Sequence, residues 1–134
     1  LNNKAISKNS KIATLACKIK DKKMIENKNL VKVSTYEDLL INKSSKAKFF
    51  SRQFLFDNYS NVYHHIGIYI YKVSILEKFV NLKQTKNEIS QKLEQLRAMD
   101  NNISIDVNLA NTSPIGVDTK EDYLEIKKLM EYKI

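Results

Sequence analysis

Residues 63–72, YHHIGIYIYK, gather more groups able to meet a polar ligand than any other stretch of the chain. Both of its histidines and one of its two glycines fall within positions 64–67. The run alternates with the period of a β-strand, so Ile66, Ile68 and Ile70 share one face while His65, Gly67, Tyr69 and Tyr71 share the other. Such a strand offers an aliphatic side to a core and a hydrogen-bonding side to a ligand. Gly67 removes the side chain between His65 and Tyr69, which lets a ligand approach the backbone there. His64 points to the side opposite His65 and reads as structural. The single cysteine, Cys17, has no base near it in the sequence and reads as a small buried apolar residue.

Bulk properties bound what such a face could serve. The chain has 134 residues, enough for one domain with a real core. No apolar run approaches the ~20 residues needed to span a bilayer. The lysines of the opening segment have no hydrophobic run behind them, so no secretory signal is expected. One cysteine cannot form an internal disulfide, which suits a reducing cytosol. The chain begins with Leu and reads as a piece lacking its start. The net charge of +8 comes almost wholly from Lys scattered among Asn and Ile. No basic stripe with interleaved aromatics, RNA-recognition signature or zinc spacing accompanies it, so no nucleic-acid partner is expected.

Elements that could position the strand follow from periodicity. Residues 11–20 read as a strand and residues 21–29 as a polar connection. Residues 30–35, LVKVST, form a short strand with Val31 and Val33 on one face and Lys32 on the other. Residues 47–50 are its hairpin partner, and residues 51–62 an irregular loop with aromatic anchors. A short amphipathic helix covers 73–82. A stronger one covers 87–99, with Ile89, Leu93 and Leu96 as its apolar stripe and Glu88–Lys92 as a helpful i,i+4 pair. Residues 104–109 alternate as a strand, and Pro114 and Gly116 mark a turn. A last helix covers 119–132, capped by Thr119 with Asp122 three residues on. Strands alternating with helices imply an α/β layer architecture.

Four pieces in this order over about 75 residues carry a resemblance: FFSR (49–52), HIGIYIY (65–71), KLEQLRAM (92–99) and IGVDTKED (115–122). Together they resemble the C-terminal half of the 3-deoxy-manno-octulosonate cytidylyltransferase family, the CMP-Kdo synthetases. The resemblance implies the C-terminal portion of a Rossmann-like three-layer nucleotide-diphospho-sugar transferase fold with a mixed sheet. Residues 1–134 would be the C-terminal part of a single cytidylyltransferase domain. It also implies a reaction, in which CTP and the eight-carbon acid sugar Kdo give CMP-Kdo and pyrophosphate for lipopolysaccharide biosynthesis. The enzyme would be cytoplasmic, Mg²⁺-dependent and homodimeric.

Carried over by position, Asp118 of GVDT matches the family's catalytic, metal-binding aspartate. His65 and Tyr69 match residues that contact the sugar from one strand face. Glu94 and Gln95 match the pair that hydrogen-bonds sugar hydroxyls, and both lie off the Ile89/Leu93/Leu96 stripe. Arg52 and Arg97 stand in matching motifs as further substrate contacts. Some positions depart from the family's pattern. Ile70 replaces a glycine, Lys120 replaces a proline at the helix start, His64 stands where arginine is frequent, and the 53–62 loop diverges.

The family's glycine-rich phosphate loop and its QGDEP motif are absent, so the CTP-binding half is missing and this piece alone is expected to be inactive. A half-domain is also expected to expose a sheet edge and apolar surface, and to be poorly soluble in isolation. Two other readings stand beside the enzyme. One is an inactive remnant, or a relative acting on another acid sugar, that keeps the fold and dimer surface. The other is a basic module for RNA or acidic lipid, which scattered rather than clustered Lys disfavours.

Overall fold

The computed structural model describes residues 9–53, 60–111 and 119–131. In chain order they form β1 (Ile12–Cys17), α1 (Lys22–Glu26), β2 (Lys32–Thr35), α2 (Leu39–Asn42), β3 (Ser44–Ser51) and β4 (Val62–Tyr71), then α3 (Val73–Val80), α4 (Lys86–Gln91), α5 (Gln95–Asp100), β5 (Ile105–Leu109) and α6 (Lys120–Glu131). This is a mixed α/β fold on a single mixed sheet. Its pairings close into a ring, β1-β4-β2-β3-β5 and back to β1. Only β1 with β5 runs parallel; every other pair is antiparallel.

Among the described strands each therefore has two neighbours, though β2 covers only residues 62–64 of β4 and leaves the rest of that side of β4 without a paired strand. Short strands manage this by dividing a longer partner between them. In β4, residues 62–64 pair with β2 and residues 64–71 with β1. Apolar surface is also exposed, at Tyr36 and Ile41 around α2 and at Val73 and Val80 on α3.

One face of the sheet carries the core. Ile12 and Ala16 of β1, Val33, Phe50 and Tyr63, and Ile105 and Val107 of β5 pack with Phe79 of α3, Leu93, and Leu96 and Ala98 of α5. Full burial of a large apolar side chain is worth about 1.5–3 kcal/mol, so this cluster fixes which helix faces meet the sheet. Tyr63 also pins the start of α2. Its hydroxyl accepts from the Leu39 amide at 2.9 Å and donates to Asp38 Oδ1 at 3.0 Å.

Three expectations are corrected. The connection after β1 contains α1, begun by Asp21, whose Oδ1 accepts the Met24 amide at 3.0 Å. Lys32, read on the face opposite Val31 and Val33, is buried there at 4% exposure. Its ammonium reaches the carbonyls of Asn27 and Arg52, which makes the burial tolerable.

The second correction concerns residues 87–99, which are two helices rather than one. Lys92 adopts a left-handed conformation (φ 56°), and the amides of Lys92 and Leu93 both close on the carbonyl of Glu88. Leu93, just past this cap, is buried in the core, the hydrophobic contact that commonly accompanies such an ending. The break rotates Ile89 out to 59% exposure while Leu93 and Leu96 stay buried.

The third is the face reading of β4. Its register against β1 shifts between Thr14, opposite Tyr69, and Leu15, opposite Ile66. Two residues, Gly67 and Ile68, are thereby left over as a bulge. An insertion of two preserves parity, so His65, Tyr69 and Tyr71 do share a side. That side, however, packs toward the core, and Ile68 is 54% exposed.

Candidate functional site

β4 holds His65 against Phe50 with ring centroids 5.0 Å apart, edge to face. Contacts continue from His65 to Tyr69 at 5.5 Å, Tyr69 to Tyr71 at 6.0 Å, and Tyr71 to Phe79 of α3 at 5.8 Å. Over the far face of Phe79 lies the guanidinium of Arg97, 4.8 Å from the ring centre. One unbroken stack thus joins the strand face to α5.

Charges around this wall are uneven. Burial, and then the neighbouring His64, lower the His65 pKa to about 4, so the imidazole is neutral at physiological pH. Burial raises Tyr69, with Tyr71 and Glu94 adding to the rise. Tyr71 is raised by burial and Glu94 while Arg97 opposes them. Both phenols are therefore protonated donors. Glu94, whose charge acts on both, has a side chain 72% exposed. It lines a cleft of 440 Å³ with Arg97.

His65 and Tyr69 are thus in ring contact, and Glu94 is near enough for its charge to act on Tyr69 and Tyr71. Gln95 does not point away from the core: it is 8% exposed, because the helix break changed the phase of the stripe. Its amide makes no hydrogen bond among the described residues. A buried amide left this way is available to a ligand.

Arg97 is committed to the protein itself. It holds Glu88 through Nε to Oε2 at 2.9 Å and Nη2 to Oε1 at 2.5 Å. Arg52 bonds the carbonyl of Asn29 at 3.3 Å, and its own carbonyl receives Lys32. Arg97 also lies 3.9 Å from Glu94 through Nη2, so it touches the wall's edge, whereas the contacts of Arg52 are all away from it. Asp118, Pro114, Gly116 and most of the divergent loop lie outside the described residues. A larger cleft, 580 Å³ and bounded in part by Lys18, Lys20 and Asn61, contains none of the candidates.

Tyr71, already placed on the His65 face by alternation, completes the stack. Two participants were not expected from sequence. Glu88, expected to pair with Lys92, instead braces Arg97 and also closes a capping box with Thr85. The Thr85-x-x-Glu88 spacing carried that signal. Thr14 sits beneath His65, its Oγ1 2.9 Å from Nε2. Only the alternation of Ile12, Thr14 and Ala16 pointed to its face. Cys17 is buried as expected, yet its Sγ lies 3.6 Å from Nδ1 of His64.

The mixed sheet carrying this wall belongs to a mixed α/β architecture similar to that of a solved synthetase. A family model described as Cytidylyltransferase matches residues 2–105, and the chain belongs to that family. Its curated relatives include the 3-deoxy-manno-octulosonate cytidylyltransferase of Bartonella henselae, 40% identical over 119 residues, covering 89% of this chain and 48% of the relative. The protein of the same name from Rickettsia canadensis is 39% identical over 105 residues, covering 78% of this chain and 43% of the relative. Among solved structures, CMP:2-keto-3-deoxy-manno-octonic acid synthetase complexed with CTP superposes with a TM-score of 0.82 at 25% identity. That match covers 100% of this chain and 55% of the other. The chain spans about half the length of the curated relatives it matches.

Proposed function

We propose that this chain is the sugar-acid side of a 3-deoxy-manno-octulosonate cytidylyltransferase, which transfers CMP from CTP to Kdo and releases pyrophosphate. One observation carries the reading: in a chain of this family, two residues matching the sugar contacts, His65 and Tyr69, lie in ring contact on one wall, within the electrostatic reach of a third, Glu94. The sugar's hydroxyls would find phenol donors at Tyr69 and Tyr71, a carboxylate acceptor at Glu94 and the amide of Gln95. Arg97 acts as a brace in this reading rather than as a ligand. The CTP site belongs to an N-terminal half like that of the relatives, and the whole would make a Rossmann-like three-layer domain. Homodimerisation, a cytoplasmic location and a place in lipopolysaccharide biosynthesis complete the proposal.

Mg²⁺ is part of the same reading. Among the described residues no three His, Cys, Asp or Glu side chains gather into a cation cage. A site built on one or two carboxylates plus substrate oxygens and water is the usual arrangement for Mg²⁺, and Asp118 would be this chain's contribution. When bound, the ion would offset phosphate charge as the sugar hydroxyl attacks the α-phosphate. No described helix is long and apolar enough to cross a membrane.

The test is pyrophosphate release from CTP by this chain joined to the N-terminal half its relatives carry. Kdo-dependent release, lost in Asp118→Asn, is the expected result. A soluble, folded product with no release would favour the inactive remnant, and release with a different acid sugar would reassign the substrate.

A further inference from the structure

The bulge of β4 has a chemical consequence for His65. Thr14 Oγ1 lies 2.8 Å from the carbonyl of Ile68, 3.2 Å from that of Ile66 and 2.9 Å from His65 Nε2. A hydroxyl has one proton to donate and lone pairs to accept with, and a carbonyl can only accept. The Thr14 proton must therefore go to the carbonyls at the bulge. What remains for Nε2 is the oxygen's lone pair, so the contact is Nε2–H donating to Oγ1. In a neutral imidazole, a proton on Nε2 leaves Nδ1 bare.

Nδ1 has no hydrogen-bond partner among the described residues. His65 keeps 7% of its surface exposed. Burial and His64 keep the ring neutral, as described above. Were the ring charged, both nitrogens would donate and no acceptor would remain.

We propose that Thr14 is a positioning residue that holds His65 in the Nε2–H tautomer and so presents Nδ1 to the substrate as a hydrogen-bond acceptor. The partner on the substrate must then be a donor, a sugar hydroxyl rather than a carboxylate or phosphate oxygen. His65 becomes the acceptor of a wall on which Tyr69 and Tyr71 donate. The bulge is part of the device, because without Gly67 and Ile68 left over, the Ile68 carbonyl would not reach Thr14. The assignment of the substrate hydroxyl rests on the function proposed above, whereas the tautomer does not.

The two parts separate experimentally. Long-range ¹H–¹⁵N correlation on the ¹⁵N-labelled chain reads the tautomer of each histidine directly, and a His64→Gln variant assigns the two signals. The expected result is a protonated Nε2 and a bare Nδ1 at His65, kept in Thr14→Ser and replaced by a mixture in the near-isosteric Thr14→Val. A protonated Nδ1 in the unmodified chain would overturn the proposal without any variant, as would an unchanged tautomer in a folded Thr14→Val.

Titration with 3-deoxy-manno-octulosonate then tests the acceptor role. The His65 Nδ1 resonance should shift, and the apparent Kd should rise roughly three- to tenfold in Thr14→Val and recover in Thr14→Ser, as expected for one hydrogen bond. A resonance that never moves, with the tautomer as described, would remove the sugar contact and count against the functional reading alone.

Discussion

Glu88 and Arg97 face each other across the turn between α4 and α5 as a two-pronged ion pair, with both side chains largely withdrawn from solvent. Asp100, at the end of α5, accepts from Thr85 Oγ1 at 2.5 Å and from Asn87 at 3.1 Å, at the start of α4. The two short helices are thus clamped at two levels, and Glu94 and Gln95 are carried on the turn between them. Arg97→Ala should cost about 1–3 kcal/mol, because it leaves the Glu88 carboxylate without its charged partner. Urea unfolding reads this; a loss confined to sugar affinity would return Arg97 to a ligand role.

The hydrogen bonds from Arg97, and then that from the Thr85 amide, hold Glu88 below its ordinary value of 4.5 against the opposing effect of burial. A carboxylate depressed on folding contributes stability above its unfolded pKa and loses it as pH falls through the folded one. Stability should therefore drop below about pH 4.5, and Glu88→Gln should flatten that limb in unfolding curves collected against pH.

His65 acts in an adjoining window. Its folded pKa of about 4 lies below the ordinary 6.5, so the unfolded chain binds a proton that the folded chain refuses. Its contribution is complete above pH 6.5 and is lost as pH falls toward 4, by an amount on the order of 2–3 kcal/mol. In His65→Gln the pH dependence between 4 and 6.5 should shrink. An unaltered slope would mean that the imidazole is not desolvated.

Gln95 separates binding from stability. Its amide makes no hydrogen bond among the described residues, so Gln95→Leu should change stability by less than about 1 kcal/mol, in either direction. Sugar affinity should fall all the same. A strongly destabilised variant would reveal a structural hydrogen bond and withdraw Gln95 from the site.

Gly67 makes a similar distinction. A Cβ there meets nothing within 4 Å, and no described glycine has positive φ. Gly67→Ala should leave stability within about 0.5 kcal/mol or raise it slightly. If a sugar approaches that stretch of backbone, the same methyl should raise its KM. Equal stability with equal KM would show that the glycine is not needed for access.

Much of the candidate wall was legible because β4 alternates cleanly and its two-residue bulge happens to preserve parity. What the alternation could not tell was which side the core lies on. Three isoleucines looked like the inner face, but packing of Tyr69 and Tyr71 against Phe79 and the surrounding cluster decided otherwise. The α4–α5 break was illegible because no Gly or Pro marks it: Lys92 takes the left-handed position, and burial of Leu93 offsets the strain. Once the helix broke, the phase of every later residue changed, which is why Gln95 turned inward. A surface Glu88–Lys92 pair is worth ~0.3 kcal/mol. A buried two-pronged bond to Arg97 outweighs it, and sequence spacing of nine gives no hint of that. The burial of Lys32 was not legible for a related reason, since the backbone carbonyls of Asn27 and Arg52 supply what solvent would have given its ammonium.

The closing of the sheet into a ring sets an order of events for a chain emerging from the ribosome. β1 pairs with β4 and β5 only, and Ile12 finds Ile105 across 93 positions. β2 and β3 can form their hairpin early, within about twenty residues. One side of the first described strand can be taken by β4 once residue 71 is made, but the other stays open until β5, beginning at Ile105, follows. Long-range pairing of this kind slows folding and lengthens the interval in which apolar strand surface is open to other chains. The interval ends when β5 docks in parallel beside β1.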